Sequence, residues 1–207
     1  ESLAAMGAKT MEDFARFVPS VNVVQYGAGG STIVFRGAMT GSSFIGQATS
    51  SVYLDEISIT QTGSQPSIRA VDMARIEALS GPQGTLYGSD AQAGTMRMLT
   101  NQPVMNTFEG VFDGEVRGGP GNDVSYRGAL VCNVPLIEDK LAMRIVGFND
   151  HDGGFIDNVF GHTADSHGAK PIPVNWGKLD NTHALEKNWN DADIYGGRIH
   201  LKWDMSD

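Results

Sequence analysis

Along the first hundred residues the apolar positions fall in short, irregular runs. Thr10-Met11-Glu12-Asp13 has the form of a capping box, and Phe14, Phe17 and Val18 follow at helical spacing until Pro19. The first 19 residues therefore read as helical. Val21 to Val24, Ser31 to Phe35 and Ser51 to Asp55 are short, rich in β-formers and separated by glycine and serine clusters, the mark of strands. Gln65 to Ala74 reads as a second helix opening at Pro66, and Arg75 to Leu79 as a strand running into the turn Gly81-Pro82-Gln83-Gly84. Up to about residue 101 the pattern predicts a small α+β unit with many short loops.

From Phe108 the alternation becomes long and strict. Phe108, Gly110, Phe112, Gly114 and Val116 share one face, and Glu109, Val111, Asp113, Glu115 and Arg117 the other. The next run sets Val124, Tyr126, Gly128, Leu130, Cys132 and Val134 against Ser125, Arg127, Ala129, Val131 and Asn133. A third opposes Leu141, Met143, Ile145 and Gly147 to Ala142, Arg144, Val146 and Phe148, and a fourth Tyr195, Gly197, Ile199, Leu201 and Trp203 to Gly196, Arg198, His200 and Lys202. Strands of this length, at ~3.3 Å per residue and tilted near ~45°, span roughly 25 Å, the height of an outer-membrane apolar band. Ionised side chains in mid-strand on the second face suit a wet lumen, and Phe108, Tyr195 and Trp203 near strand ends suit an aromatic girdle. One-faced alternation also fits an antiparallel sheet with a solvated side. Four such strands are too few to close, since barrels begin at about eight, and open edges this long invite association. The chain is expected to be the front part of something longer.

Composition narrows the field. The 207 residues hold 15 Lys+Arg against 24 Asp+Glu, so 15 − 24 gives −9, and 26 glycines but one cysteine, Cys132. An acidic chain without a Lys/Arg cluster argues against nucleic acid as a partner, and a lone cysteine excludes an internal disulfide framework. No apolar run approaches the ~18 residues of a membrane helix, and Glu1-Ser2-Leu3-Ala4-Ala5 has no basic segment leading into an apolar stretch. No catalytic constellation stands out. Gly27-Ala28-Gly29-Gly30-Ser31-Thr32 lacks the lysine of a phosphate-binding loop, and no G-x-S-x-G elbow is present. His151, His162, His167 and His183, with Asp150, Asp152, Asp157 and Asp165, crowd the polar stretch 151–191 without the spacing of a helical metal site, and read as solvated loop. No catalytic residue and no metal site are expected.

Arg75-Ile76-Glu77-Ala78-Leu79-Ser80-Gly81-Pro82-Gln83-Gly84-Thr85-Leu86-Tyr87-Gly88-Ser89 closely resembles the plug signature of TonB-dependent outer-membrane receptors. Its surroundings follow in the family's order. Phe17 to Val23 resembles the early helix, proline and strand, Phe35-Arg36-Gly37 the "(I/F)RG" step, and Val52-Tyr53-Leu54-Asp55 the "VYLDG" strand. Gly94 to Thr100 stands where "GGVINIIT" is usual. Phe108-Glu109-Gly110 then opens the first barrel strand, and Gly153 to Asn158 is similar to "DGYIDN" after the third. The resemblance covers nearly the whole chain.

The resemblance implies an α+β plug domain over 1–101, followed over 102–207 by the first four antiparallel β-strands of a truncated 22-stranded transmembrane β-barrel, the size of plugged outer-membrane transporters. It implies a bacterial outer-membrane receptor that does no covalent chemistry and imports a scarce nutrient, a ferric siderophore or other iron complex above all. Iron then enters only as part of a transported chelate, with no resident cofactor. The implied partners are TonB, a small-molecule substrate such as a siderophore, and outer-membrane lipid; the family's TonB box is not recognisable here. The segment 151–191 is expected to be extracellular, with Leu136 to Lys140 and Asp204 to Asp207 at periplasmic turns. Substrate contact is expected at the plug's apical loops, at Tyr26, Gly41, Ser42, Ser43, Phe44, Gln47 and Gln61-Thr62. Glu77, Gly81, Pro82, Gly84 and Gly88 are expected to be plug architecture. Arg36-Gly37 and Arg75 remain for locking the plug to the wall, because Ser80 and Glu56 replace the family's usual arginine and glycine. The competing reading is a soluble β-rich binding or adhesion module with a plug-like domain.

Overall fold

The computed structural model describes residues 10–26, 29–39, 46–119, 124–160 and 182–205. The chain divides into two compact units, one of Glu1–Glu109 with Val131–Val146 and Arg198–Asp207, the other of Gly110–Leu130 with Gly147–Gly197.

The first unit opens with α1 (Met11–Ala15). The capping box forms as read: the Thr10 hydroxyl accepts from the Asp13 amide and the Asp13 carboxylate accepts from the Thr10 amide, both at 3.2 Å. The helix is a single buried-face turn, with Met11 and Ala15 inward, and its expected extension over residues 1–9 lies outside the described residues. β1 (Val21–Gln25), β2 (Gly30–Phe35) and β5 (Gln65–Pro66) form one sheet in the order β1-β2-β5. The second sheet has the order β4-β3-β7-β6, from β3 (Ser50–Leu54), β4 (Ile57–Ser58), β6 (Met73–Ser80) and β7 (Gly94–Thr100). β3 and β7 run parallel, with Val52 opposite Met96, while β6 pairs antiparallel with β7. A four-residue helix, α2 (Gly84–Tyr87), follows the Gly81-Pro82 turn.

The helix expected over Gln65 to Ala74 does not form. Gln65 and Pro66 pair with Ser31 and Gly30 at a sheet edge, where a residue without an N–H is tolerated. The apolar contacts beyond it fall at Ile68 and Ala70, two residues apart, as extended chain places them. Asp72 then adopts φ 54, which ends any helical path.

Both sheets and α1 share one core of Met11, Ala15, Val21, Ile33, Phe35, Val52, Ile76, Met96 and Met98. Phe35 is fully buried and its ring lies against the backbone of Gly94. A Cβ at residue 94 would stand 2.6 Å from that ring and 2.8 Å from the Leu79 carbonyl oxygen, so only glycine lets the strand approach.

The alternating half forms one sheet of β8 (Glu109–Gly118), β9 (Val124–Ile137), β10 (Leu141–Asp152) and β11 (Ala192–Trp203), neighbours in sequence order. The strands follow the expected faces, and β9, β10 and β11 run beyond the apolar alternation, β10 as far as Asp152. In the first unit the face carrying Val131, Asn133, Ala142, Arg144 and Val146 is buried, and Ile145, Ile199, Leu201 and Trp203 are turned outward. In the second unit Phe112, Val116, Val124, Tyr126, Leu130 and Tyr195 are exposed.

The described ends of the long segment 151–191 also have structure of their own. The Asn190 side chain accepts from the amides of Phe155 and Ile156, Asp157 accepts from the Asn188 amide, and Asn158 pairs with Glu186. His151 is a strand residue whose Nδ1 lies 2.8 Å from Asp193, with the Tyr126 ring stacked on its imidazole at 4.9 Å. The loop expectation for Asp150, His151 and Asp152 is thereby corrected, since β10 runs to Asp152 and His151 meets Asp193 of β11 across the strands. His162, Asp165 and His167 lie outside the described residues.

Gly94→Ala is expected to destabilise the plug by about 1–3 kcal/mol, the cost of overpacking a filled core. Pulse proteolysis in urea would read this as an earlier cleavage of the segment before residue 101; an unshifted midpoint would mean that Phe35 yields freely.

Candidate functional site

Two places in the first unit gather polar side chains on purpose-built backbone. The first is a small, solvent-open depression lined among others by Thr32, Met39, Gln47, Thr49, Ser50 and Gln65. Its walls are fixed from within. Gln65 is buried, and its amide bonds both ways to Gln61, donating to the carbonyl at 2.7 Å and accepting from the N–H at 2.9 Å. Thr49 donates to the Ala38 carbonyl, and Gly63 to that of Gly46. Among the described residues the hydroxyls of Thr32 and Ser50 are buried without a hydrogen-bond partner, an uncommon state that leaves them available to a water or a ligand group. Gln47 and Gln61 are exposed and Tyr26 is half-buried. Thus Gln47 lines the depression and Gln61 braces it through Gln65, whereas Gly41, Ser42, Ser43 and Phe44 lie outside the described residues. The lining supplies hydroxyl and amide groups with no ionised side chain, suited to orienting a polar molecule by hydrogen bonds. Among the described residues no group of three His, Cys, Asp or Glu stands ready to hold a metal ion.

The second place is the end of β7, where two aspartates in the left-handed conformation flank Thr100 and Asn101. Asp55 (φ 53) accepts from the Thr100 amide at 2.8 Å and from its hydroxyl at 3.0 Å. Asp72 (φ 54) accepts from the Asn101 side chain at 2.8 Å. The Asp72 side chain is only 4% exposed, and Arg144 of β10 meets it with a two-pronged contact, Nε to Oδ2 at 2.7 Å and Nη2 to Oδ1 at 2.6 Å. Arg198 of β11 adds Nη2 to Oδ2 at 3.3 Å and to the Asp72 carbonyl at 3.2 Å. The carboxylate thus accepts from four donors, its full capacity. Arg144 also reaches Glu109 at 3.2 Å, and His200, two residues beyond Arg198 on the same face of β11, stands 3.8 Å from Asp55. Burial opposes the ionisation of Asp72, yet the hydrogen bonds from Arg144 and Asn101 and the charges of Arg144 and Arg198 outweigh it, holding its pKa below the ordinary aspartate value.

The signature residues occupy a different surface. Arg36 and Gly37 form a positive-φ turn, both exposed. Arg75 reaches Glu77 on its own strand at 2.6 Å, and Arg97 of β7 bridges Glu77 and Glu56 at 2.9 Å each, with Tyr87 beneath its guanidinium. The hydrogen bond from Arg75 lowers the Glu77 pKa first of all; burial opposes the shift, and the Arg97 charge reinforces it. Ser80 hydrogen-bonds Ser20 at 2.8 Å. Gly81 and Gly88 take positive φ around Pro82 and Gly84. Sequence reading passed over Asp72, Asn101, Arg144 and Arg198 as a group. The available signal was an arginine at mid-face of a strand flanked by Ala142 and Val146, a buried cation that demands an acidic partner.

Comparison with known proteins agrees with this geometry. Residues 1–95 match the family model of the TonB-dependent Receptor Plug Domain. The chain is 28% identical over 157 residues to the pesticin receptors of Yersinia enterocolitica and Yersinia pestis, covering 75% of this chain and 22% of each of those proteins. It therefore spans about a fifth of the length of these curated relatives. Among solved structures, the ferric yersiniabactin uptake receptor of Yersinia pestis superposes with TM-score 0.63 at 26% identity, over 74% of this chain and 23% of that one. The open form of the ferric-catecholate import receptor of E. coli K12 shares the fold, with TM-score 0.53 at 24% identity over 77% and 21% of the two chains.

Because Asp72 has a lowered pKa, the stability it confers is fully present above the unfolded value of about 3.9 and is lost as pH falls through the lower folded value. Denaturation midpoints measured between about pH 2 and pH 6 should drop on acidification, and Asp72→Asn should flatten that part of the slope; an unchanged slope would assign the acid sensitivity to other carboxylates. Residues 1–95 thus match the TonB-dependent Receptor Plug Domain, and the plug with the strands that follow it is similar in sequence and fold to the receptors named above.

Proposed function

We propose that the chain is the plug, residues 1–101, and the first four barrel strands, 102–207, of an active importer of a scarce nutrient, a ferric siderophore above all. The observation that carries this reading is the union of a plug with strands that turn large apolar side chains outward and set Asn133 and Arg144 among small apolar residues on the inward face. A pathway for a hydrophilic cargo needs that arrangement, with a plug to close it. Support for the cargo class comes from the relatives, which include a ferric yersiniabactin uptake receptor and a ferric-catecholate import receptor.

In this reading the cargo settles on the plug's apical loops, Tyr26, Gly41 to Phe44, Gln47 and Gln61, where neutral hydroxyl and amide groups orient it without competing for its iron. Iron is cargo, and the chain does no covalent chemistry. TonB supplies the force that remodels the plug, and lipid covers the outward face of β8 to β11. Deleting the gene should abolish growth on at least one ferric siderophore as sole iron source, with growth restored by the intact gene. Equal growth and equal radio-iron uptake with and without the gene, across hydroxamate, catecholate and mixed chelates, would overturn the siderophore assignment.

A further inference from the structure

The geometry points to Gln65 as the positioning residue of the cargo site: its buried amide locks the backbone of Gln61, so that the loop carrying Gln61 beside the depression is set before cargo arrives. The inference rests on the reading of the apical loops as the place where cargo settles. Gln65 is 3% exposed, although glutamine is mostly a surface residue. Its backbone pairs with Ser31 at the edge of β2, while its side chain serves the loop. There Nε2 donates to the Gln61 carbonyl at 2.7 Å and Oε1 accepts from the Gln61 N–H at 2.9 Å. The amide thus meets both backbone groups of residue 61 as a neighbouring strand would.

The loop over residues 60–65 is held at its start, its tip and its end. At the start the Thr60 hydroxyl accepts from the Val52 amide at 3.0 Å and donates to the Val52 carbonyl at 3.3 Å. At the tip the Gly63 amide donates to the Gly46 carbonyl at 3.2 Å, which ties this loop to the segment that brings Gln47 to the depression. Gln65 closes the end and is the one anchor that fixes residue 61 itself. Both polar ends of its amide are engaged by Gln61, so what it contributes to the site passes through that residue. Gln61 is exposed, and with its backbone held its side chain leaves the rim from one place. A loop that must order on binding subtracts the lost entropy from affinity, whereas a loop already braced does not. Without the amide the loop samples other conformations, and apparent affinity falls with the fraction still competent.

The test uses the full-length receptor, purified in detergent for binding and returned to cells for uptake, with radio-iron supplied as hydroxamate, catecholate and mixed chelates. For each chelate that the wild type holds, Gln65→Leu should raise Kd on the order of tenfold, as when about a tenth of the loops stay competent. The KM of uptake should rise by the same factor while the maximal rate holds. Gln65→Glu keeps the acceptor and loses the donor at neutral pH. It should fall between wild type and Gln65→Leu, and approach wild type at matched pH once acid protonates the buried carboxyl, which then both donates and accepts. Gln61→Ala leaves the backbone bonds in place and removes the presented side chain, so its effect should not add to that of Gln65→Leu. Hydrogen exchange of the cargo-free receptor reads the brace alone: the peptide 60–64 should be protected in wild type and exchange on the order of tenfold faster in Gln65→Leu. Wild-type Kd or wild-type exchange in Gln65→Leu would overturn the inference, as would additive effects with Gln61→Ala or a fall in maximal rate at constant KM. If Gln65→Leu does not reach the membrane, the pH-dependent recovery of Gln65→Glu decides in its place, and its absence overturns the inference. A wild type that protects 60–64 yet holds none of the chelates would overturn the cargo reading, and with it the role of the brace in binding.

Discussion

An ionised carboxylate stays inside a protein only where donors replace the water it has lost, and the position of β6 and β7 against the strands that follow depends on one such group, Asp72. Its four donors come from three places in the sequence, Asn101, Arg144 and Arg198. Each alone has a local explanation, as a strand-end amide or a polar residue on an inward face. Together they are a single satisfied site, and the removal of Arg144 would take away two of the four donors to a carboxylate that is only 4% exposed. The pair thus specifies place more than it adds stability, as buried ion pairs do when an apolar replacement would serve energy equally well.

Around that point the chain solves two opposite solvent problems. The plug buries Phe35, Met96 and Met98 and turns charged groups such as Glu56 and Arg75 outward. The strands β9 to β11 turn Leu130, Ile199 and Leu201 outward and keep Asn133, Arg144 and Arg198 in. The period of two is shared, but in the strand half the large apolar side chains stand outside, and the inward face mixes Val131, Ala142 and Val146 with Asn133 and Arg144. Glycine serves both, by close approach at Gly94 in one half and by giving room to the Phe148 ring at Gly196 in the other.

This division was largely legible beforehand, because burial on one face writes a period of two that needs no knowledge of partners. The capping box at Thr10 was legible for the same reason, being closed within four residues. The stretch Gln65 to Ala74 was misread because Pro66 is as much at home at a sheet edge as at a helix start, and only the pairing with Gly30 decides between them. The Asp72 cluster was hidden for a deeper cause. Its partners lie 72 and 126 residues away along the chain, and no local pattern of propensity carries information over that distance. Of the depression, Gln47 was anticipated, whereas Gln65 was assigned to a helix and its bracing of Gln61 was invisible.

Asn133 gives the linker between the two halves an unexpected role in assembly. Its side-chain oxygen accepts from the Val104 amide while its nitrogen donates to the carbonyls of Val104 and Thr107. A β9 slipped by one residue would present Cys132 or Val134 at this point and leave three linker groups unmet, besides reversing every face of the strand. The amide is therefore a register mark that can be read only once residues 104–107 lie in place. Strand order along the wall and completion of the plug are then not independent events: the correct hairpin is recognised by the chain that came before it.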